Sequence, residues 1–253
     1  MRRLPFHCTF LSLVLAVWLL ALWTILSITD HFLLHRITSF VYARLSPRAN
    51  SSHFYLVFRE SALAHHLLDG LSGIEIGASA HNPFSLSTLN VDYTQGDTLF
   101  RREQTKLTGG YVQVDVVARG DQLPFPNGTW DFVVSANVLE HFYDPVGAVE
   151  EWLRVVRPGG YVLMIIPHAE RTFDRGRDKT TLEEIIDRHE HPDPPTEDDH
   201  RHYSVWVTGD FLALCRHYGW RVAEWRDEDD KVGDGFIVVL QKADDRTRVV
   251  ENV

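Results

Sequence analysis

Five short apolar runs each lead into residues that can bind or react. Gly73-Ile74-Glu75-Ile76 stops at Gly77, followed by Ala78, Ser79 and Ala80. Glycine permits a tight turn and close approach of a ligand, and three small residues keep the loop thin. Leu89-Asn90-Val91-Asp92 ends on a carboxylate, which can accept two hydrogen bonds from a sugar diol. Asp121 follows the run from Tyr111 to Val117, and Asn137 and His141 follow the run from Trp130 to Ser135. The run from Tyr161 to Ile166 leads through Pro167 into His168. Histidine titrates near neutral pH, so His141 and His168 are the candidate proton acceptors.

Nearly continuous apolar runs of this length are what strands buried on both faces require. Between the fourth and fifth lies a helix signal. Asp144 stands as N-cap and Pro145 at the first helical position. Val149, Trp152, Leu153 and Val156 form the stripe, and Pro158-Gly159-Gly160 makes the stop. Alternating strands and helices predict a parallel α/β sheet. In such sheets ligands bind outside the carboxyl ends of strands, where the candidate residues stand. Earlier, residues 52–69 read as a helix ended by Gly70. Later, Gly209–His217 reads as a helix with Gly219 beyond it. Trp220–Trp225 and Phe236–Leu240 read as an antiparallel hairpin. Residues 168–205 hold Pro192, Pro194 and Pro195, five histidines and many acids, and read as a substrate-side insertion or solvated loop. Asp174, His191, His200 and His202 are metal-ligating types, but their spacing matches no metal signature and no metal site is expected. Arg171, Arg175 and Arg177 are candidates to hold an anionic acceptor.

The 253 residues are 44% apolar and 24% charged, which excludes a wholly disordered or fibrous chain. Net charge is −10, against a broad nucleic-acid-binding face. Cys8 and Cys215 are too few and too far apart for a disulfide scaffold. Residues 1–60 hold six of the 25 Lys and Arg but two of the 35 Asp and Glu. Within them Phe10 to Ile28 runs uncharged for 19 residues, about 28 Å as a helix and enough for one hydrocarbon core. It reads as an uncleaved signal anchor, longer than a secretory apolar core. The expected organisation is an anchor over 1–30, a juxtamembrane helical region over 31–69, a catalytic domain over 70–245 and a tail over 246–253.

Several blocks resemble class I S-adenosylmethionine (SAM)-dependent methyltransferases with a UbiE-like methyltransferase domain. They are Ile74-Glu75-Ile76-Gly77, Val91-Asp92, the run from Leu123 through Pro126-Asn127-Gly128 to Val134, Val138-Leu139-Glu140-His141, and Leu153 to Gly160. The resemblance is good over roughly residues 70–166 and loose over 205–242. It implies a Rossmann-like α/β fold, a mostly parallel seven-stranded sheet with a C-terminal antiparallel hairpin, and SAM as cofactor. Position by position, it implies that Glu75, Gly77, Ala78 and Ser79 surround the methionine end of SAM. Asp92 holds the ribose hydroxyls, Asp121 lies by the adenine amino group, and Asn137 to His141 line the methyl-donor side. The family's first motif has further glycines where this chain has Ser79 and His81, which leaves open a methyltransferase-like scaffold or interaction protein. A nicotinamide dinucleotide fits in outline only, because its G-x-G-x-x-G motif is absent.

The expected activity is methyl transfer to a small-molecule, lipid-linked or glycan acceptor at a membrane reached through residues 10–28, with no nucleic acid. SAM is cytosolic, so the catalytic domain is expected on the cytosolic side of a single-pass protein. Asn50-Ser51-Ser52 and Asn127-Gly128-Thr129 are formal glycosylation sequons, the second inside the resembling motif.

Overall fold

A computed structural model describes residues 58–78, 84–193 and 201–244. Seven strands form one sheet in the order β3-β2-β1-β4-β5-β7-β6. They are β1 (Gly73–Ile76), β2 (Thr88–Asp92), β3 (Val116–Val117), β4 (Trp130–Ala136), β5 (Val156–Pro167), β6 (Val222–Arg226) and β7 (Gly235–Gln241). The first five run parallel to one another. The strand β7 runs antiparallel between β5 and β6. This is the expected mostly parallel sheet with its terminal hairpin.

Helices cover both faces, and alternation along each strand decides which core a side chain joins. Ile74, Ile76, Val133, Met164, Ile166, Val238 and Leu240 share one core with Val149 and Trp152 of α3 (Pro145–Val155) and Phe211 and Leu214 of α5 (Thr208–His217). Phe132, Val134, Leu163, Ile165, Ile237 and Val239 share the other with Leu63, Ala64 and Leu68 of α1 (Ala62–Leu68). A large parallel sheet is stable only when both faces are covered, so the uninterrupted apolar runs were the right signal.

The N-cap and N1 assignments of α3 hold: Asp144 accepts from the Gly147 N–H at 2.9 Å, and Pro145 opens the helix. Its stop lies earlier than expected, at Val155, because Val156 already pairs with Trp130. The expected helix over 52–69 is shorter where it is described. It starts at Ala62, where the Ser61 hydroxyl accepts from the Ala64 N–H; residues 52–57 lie outside the described set. The third apolar run is mostly not strand. Only Val116 and Val117 pair, at the sheet edge, with Val91 and Asp92. Two further helices went unexpected. One is α2 (Leu99–Thr108), a polar segment in which only Gln104 is buried. The other is α4 (Leu182–Glu190), inside the segment expected to be a solvated loop. A reciprocal box starts α4: the Thr181 hydroxyl accepts from the Glu184 N–H while the Glu184 carboxylate accepts from the Thr181 N–H.

Among the described residues no helix is long and apolar enough to cross a membrane. The expected anchor, residues 10–28, lies outside them.

Candidate active site

Strand order reverses between β1 and β4: the chain builds outward from β1 through β2 to β3, then returns to β4 on the other side. A crevice opens at such a switch point beyond the strand ends. The two loops meet closely there. Gly77 has φ +63°, and a Cβ on it would lie 2.9 Å from Val138 Cγ2, on the turn after β4. Position 77 therefore takes glycine both for its backbone and for the space. The Gly77 N–H donates to the Val91 carbonyl, tying the loop to β2, and the Ala78 N–H reaches Asn90 Oδ1.

Asp92 ends β2 beside this loop. Burial holds its carboxyl above the usual range, offset by the N–H groups of Thr94 and Tyr93 and by Arg101. Beyond β4, Asn137 adopts φ +54°, a left-handed conformation uncommon for a side-chain-bearing residue and concentrated at functional turns. Its N–H donates to the Ile165 carbonyl. The strained residue delivers the chain into a 3-10 turn, Leu139–His141.

Glu75 stands on the face opposite Ile74 and Ile76. It is buried, and desolvation pushes its carboxyl up to about 7 against the pull of Lys231 and the Phe84 N–H. Lys231, also buried, lies 5.0 Å over the Phe84 ring. Asp121 pairs with the Arg119 guanidinium through two bonds, at 3.0 and 2.9 Å. Ser79, Ala80 and His81 lie outside the described residues.

The two candidate histidines occupy separate settings. His168 is buried after β5, its Nδ1 accepting from the Glu170 N–H. Burial and then Arg171 keep it below the ordinary histidine range. The proton thus sits on Nε2, facing Asp227 at 3.9 Å. The Nδ1 lone pair is occupied, and His168 in this arrangement is poorly placed to accept a proton from a ligand. His141 sets its Nδ1 3.1 Å from the Arg201 carbonyl. That contact needs Nδ1–H, which leaves the Nε2 lone pair pointing inward. Its ring packs edge-on against His202 at 4.8 Å.

Glu140, expected only as part of the Asn137–His141 stretch, and His202, read only as a metal-ligating type with no site, complete this group, and their meeting was not legible in the sequence. Glu140 sits inside a resembling motif, but nothing local says that its side chain turns inward. His202 lies far along the chain. Glu140 is 1% exposed, and burial pushes its carboxyl up to about 8, helped by Asp174 and Asp234. Asp174 bonds His202 Nδ1 and also Arg177. The other arginines expected to hold an anionic acceptor are engaged too: Arg171 with Asp227 and the Gly235 carbonyl, Arg175 with the Glu170 carbonyl. His191 is an exposed partner of Asp187, and His200 lies outside the described residues.

The remaining resembling blocks have a structural role. Arg154 of α3 donates to the carbonyls of Leu123 and Phe125 and to Asn127 Oδ1, and Glu151 accepts from the Leu123 N–H. An Arg154–Glu151 pair at 2.6 Å joins the two. Trp152 Nε1 donates to the Gly120 carbonyl. One helix thus clamps the loop from residue 120 to 127 against the sheet beside the crevice.

Residues 73–164 match the family described as "Methyltransferase domain". A probable S-adenosylmethionine-dependent methyltransferase of Mycolicibacterium smegmatis is 32% identical over 114 residues, covering 44% of this chain and 41% of that protein. A probable S-adenosylmethionine-dependent methyltransferase of Mycobacterium tuberculosis is 30% identical over 139 residues, covering 54% and 43%. An uncharacterized methyltransferase of Schizosaccharomyces pombe is 54% identical over 41 residues, covering 16% and 15%. The chain spans less than half the length of these curated relatives. Over residues 73–164 the chain is similar to methyltransferase domains, and the relatives named for an activity are SAM-dependent methyltransferases. The match is to that domain at large and does not single out the UbiE-like group.

The residues at these strand ends fit SAM as a cofactor. Gly77 offers a backbone approach free of a side chain, and Asp92 offers a carboxylate whose burial favours a hydrogen-bonding partner over water.

Proposed function

We propose that the protein is a membrane-anchored methyltransferase that modifies a hydroxyl of a lipid-linked or glycan acceptor. The observation that carries the transfer reading is the pair of loops at the switch point, where left-handed Gly77 abuts Val138 and Asp92 ends β2. Bound SAM would supply an electrophilic methyl group on a sulfonium. Displacement at such a carbon needs alignment above all, so Gly77 and Asp92 act by fixing the donor. A hydroxyl must also lose its proton, and the titratable group argued for that side is Glu140–His141–His202, whose first two members follow β4.

The anchor reading rests on the uncharged run from Phe10 to Ile28. An acceptor held in or on a membrane gives such an anchor a purpose. Cytosolic supply of SAM favours a cytosolic catalytic domain, and the Asn127 sequon lies within the Arg154 clamp.

The test is calorimetric titration of SAM into the detergent-solubilised full chain, beside Asp92→Ala. Loss of a hydrogen bond to a charged group is worth about 1.5–3 kcal/mol, so the variant should bind about 10–150-fold more weakly. Wild-type binding weakened in this way supports the reading, and a screen of lipid and glycan extracts for methyl acceptors follows. A folded wild type that binds no SAM overturns it. The scaffold reading, favoured by Ser79 and His81 in the first motif, would then replace it.

A further inference from the structure

Glu140, His141 and His202 each turn one ligand atom toward a common point. The three atoms lie within 4.8 Å of one another. Glu140 Oε1 is 3.7 Å from His141 Nε2 and 3.9 Å from His202 Nε2. These separations are too long for hydrogen bonds. The Glu140 side chain is 1% exposed, and among the described residues neither carboxylate oxygen has a hydrogen-bond partner. Buried polar atoms are almost always partnered, and a carboxylate bears a large cost when it is not.

Both imidazoles are already oriented. His202 Nδ1 is 2.7 Å from Asp174 Oδ2, and Asp174 is itself held by Arg177. His141 Nδ1 is bound to the Arg201 carbonyl at 3.1 Å. Carboxylate or carbonyl behind Nδ1, with the Nε2 lone pair presented, is the recurring support for histidines that bind metal. The Glu140 main chain is tied to the same segment, its carbonyl accepting from the Tyr203 N–H at 2.8 Å.

We infer that Glu140, His141 and His202 hold a divalent first-row transition-metal cation. A tetrahedral cation about 2.0–2.1 Å from each ligand places neighbouring ligand atoms about 3.4 Å apart. A contraction of a few tenths of an ångström brings the carboxylate and either imidazole to that spacing, and the two imidazole nitrogens, within 4.8 Å of one another, must draw together by more, through side-chain rotation. Two imidazoles and one carboxylate favour zinc, iron, cobalt or manganese over calcium or magnesium. Three protein ligands leave at least one position open. An open groove bordered by Tyr143, Arg177, Arg201 and Tyr203 adjoins the site. The open position takes an oxygen of the acceptor and, as bound cations do for water, lowers the pKa of its hydroxyl. This last role rests on the methyl-transfer reading; the cation site itself does not.

The test is a Co2+ titration of the full, chelator-stripped chain, followed by the visible absorption of bound cobalt, with Zn2+ and Mn2+ as competitors. SAM affinity is measured on the same samples. Saturation at a single equivalent is expected. His202→Gln should abolish the cobalt band. Asp174→Asn, which keeps the side-chain shape, should weaken binding by about 10–100-fold. His191→Gln, at an exposed histidine, should change nothing and so corrects for adventitious surface binding. Unaltered melting transitions establish that the variants fold. No saturable Co2+ or Zn2+ binding, or equal affinity in wild type and a folded His202→Gln, overturns the inference. Cation binding without SAM binding leaves the site standing and sinks the transfer reading; the reverse result sinks the site alone.

Discussion

Position 77 combines a left-handed backbone with a Cβ clearance of 2.9 Å to Val138. An alanine there meets both restrictions, the left-handed conformation alone costing about 1–2 kcal/mol. Gly77→Ala is expected to lower stability by at least that amount in urea unfolding and to weaken SAM binding by a larger factor than Asp121→Ala does. An Asp121 carboxylate paired with Arg119 is less free to serve a ligand than Asp92. Equal losses in the two variants would remove the privileged role of the Gly77 loop. At this scale the sequence was legible where a residue type has few uses in its setting. A glycine ending an apolar run and an acid ending the next both announced the strand ends. Glu140 and His202 carried no such mark. Sixty-odd residues separate them, and their meeting is made by Asp174, Arg177 and the Tyr203 N–H, none of which has a local sequence pattern.

Elements were legible in proportion to how much they bury. The central strands and α3 announced themselves because both sheet faces are covered. The helix α2 did not, since Gln104 is its one buried side chain, and β3 was overread because an edge strand needs to pair only where its neighbour β2 ends. The helix α4 hid among prolines, acids and histidines, although its Thr181–Glu184 box was visible in principle. The helix α3 has a second task beyond core packing, holding the 123–127 loop through Glu151 and Arg154. Arg154→Ala removes donors from the Leu123 and Phe125 carbonyls and leaves Glu151 without its partner. A loss of about 2 kcal/mol is expected in urea unfolding, with little change in far-ultraviolet circular dichroism. Stability within a few tenths of wild type would mean that water replaces the clamp.

Across the whole molecule, Glu75 on β1 and Lys231 between β6 and β7 form a buried polar pair between distant parts of the chain, with Glu60, Asp229 and Asp230 also acting on Lys231. The Glu75 carboxyl stands at about 7 in the folded protein against an ordinary 4.5. The folded state therefore binds the extra proton between these values. Stability from this group is greatest below pH 4.5 and falls as pH rises toward 7. Glu75→Gln should remove that fall, so the difference in melting temperature between variant and wild type should widen in favour of the variant across this window. A constant difference would mean that Lys231 already neutralises the pair.

The position of β7 also bears on how the chain is made. It is the last described strand in sequence, yet it lies between β5 and β6, with every residue from Gly235 to Leu240 buried. During synthesis, β5 emerges long before the strand that covers its open edge. A nascent chain halted before Gly235 presents the edge of β5, from Tyr161 to Pro167, as an unpaired row of peptide groups flanked by apolar side chains. The growing chain thus passes through a sticky interval that ends only with β7, and shielding by a chaperone matters most while residues 168–234 are being threaded out.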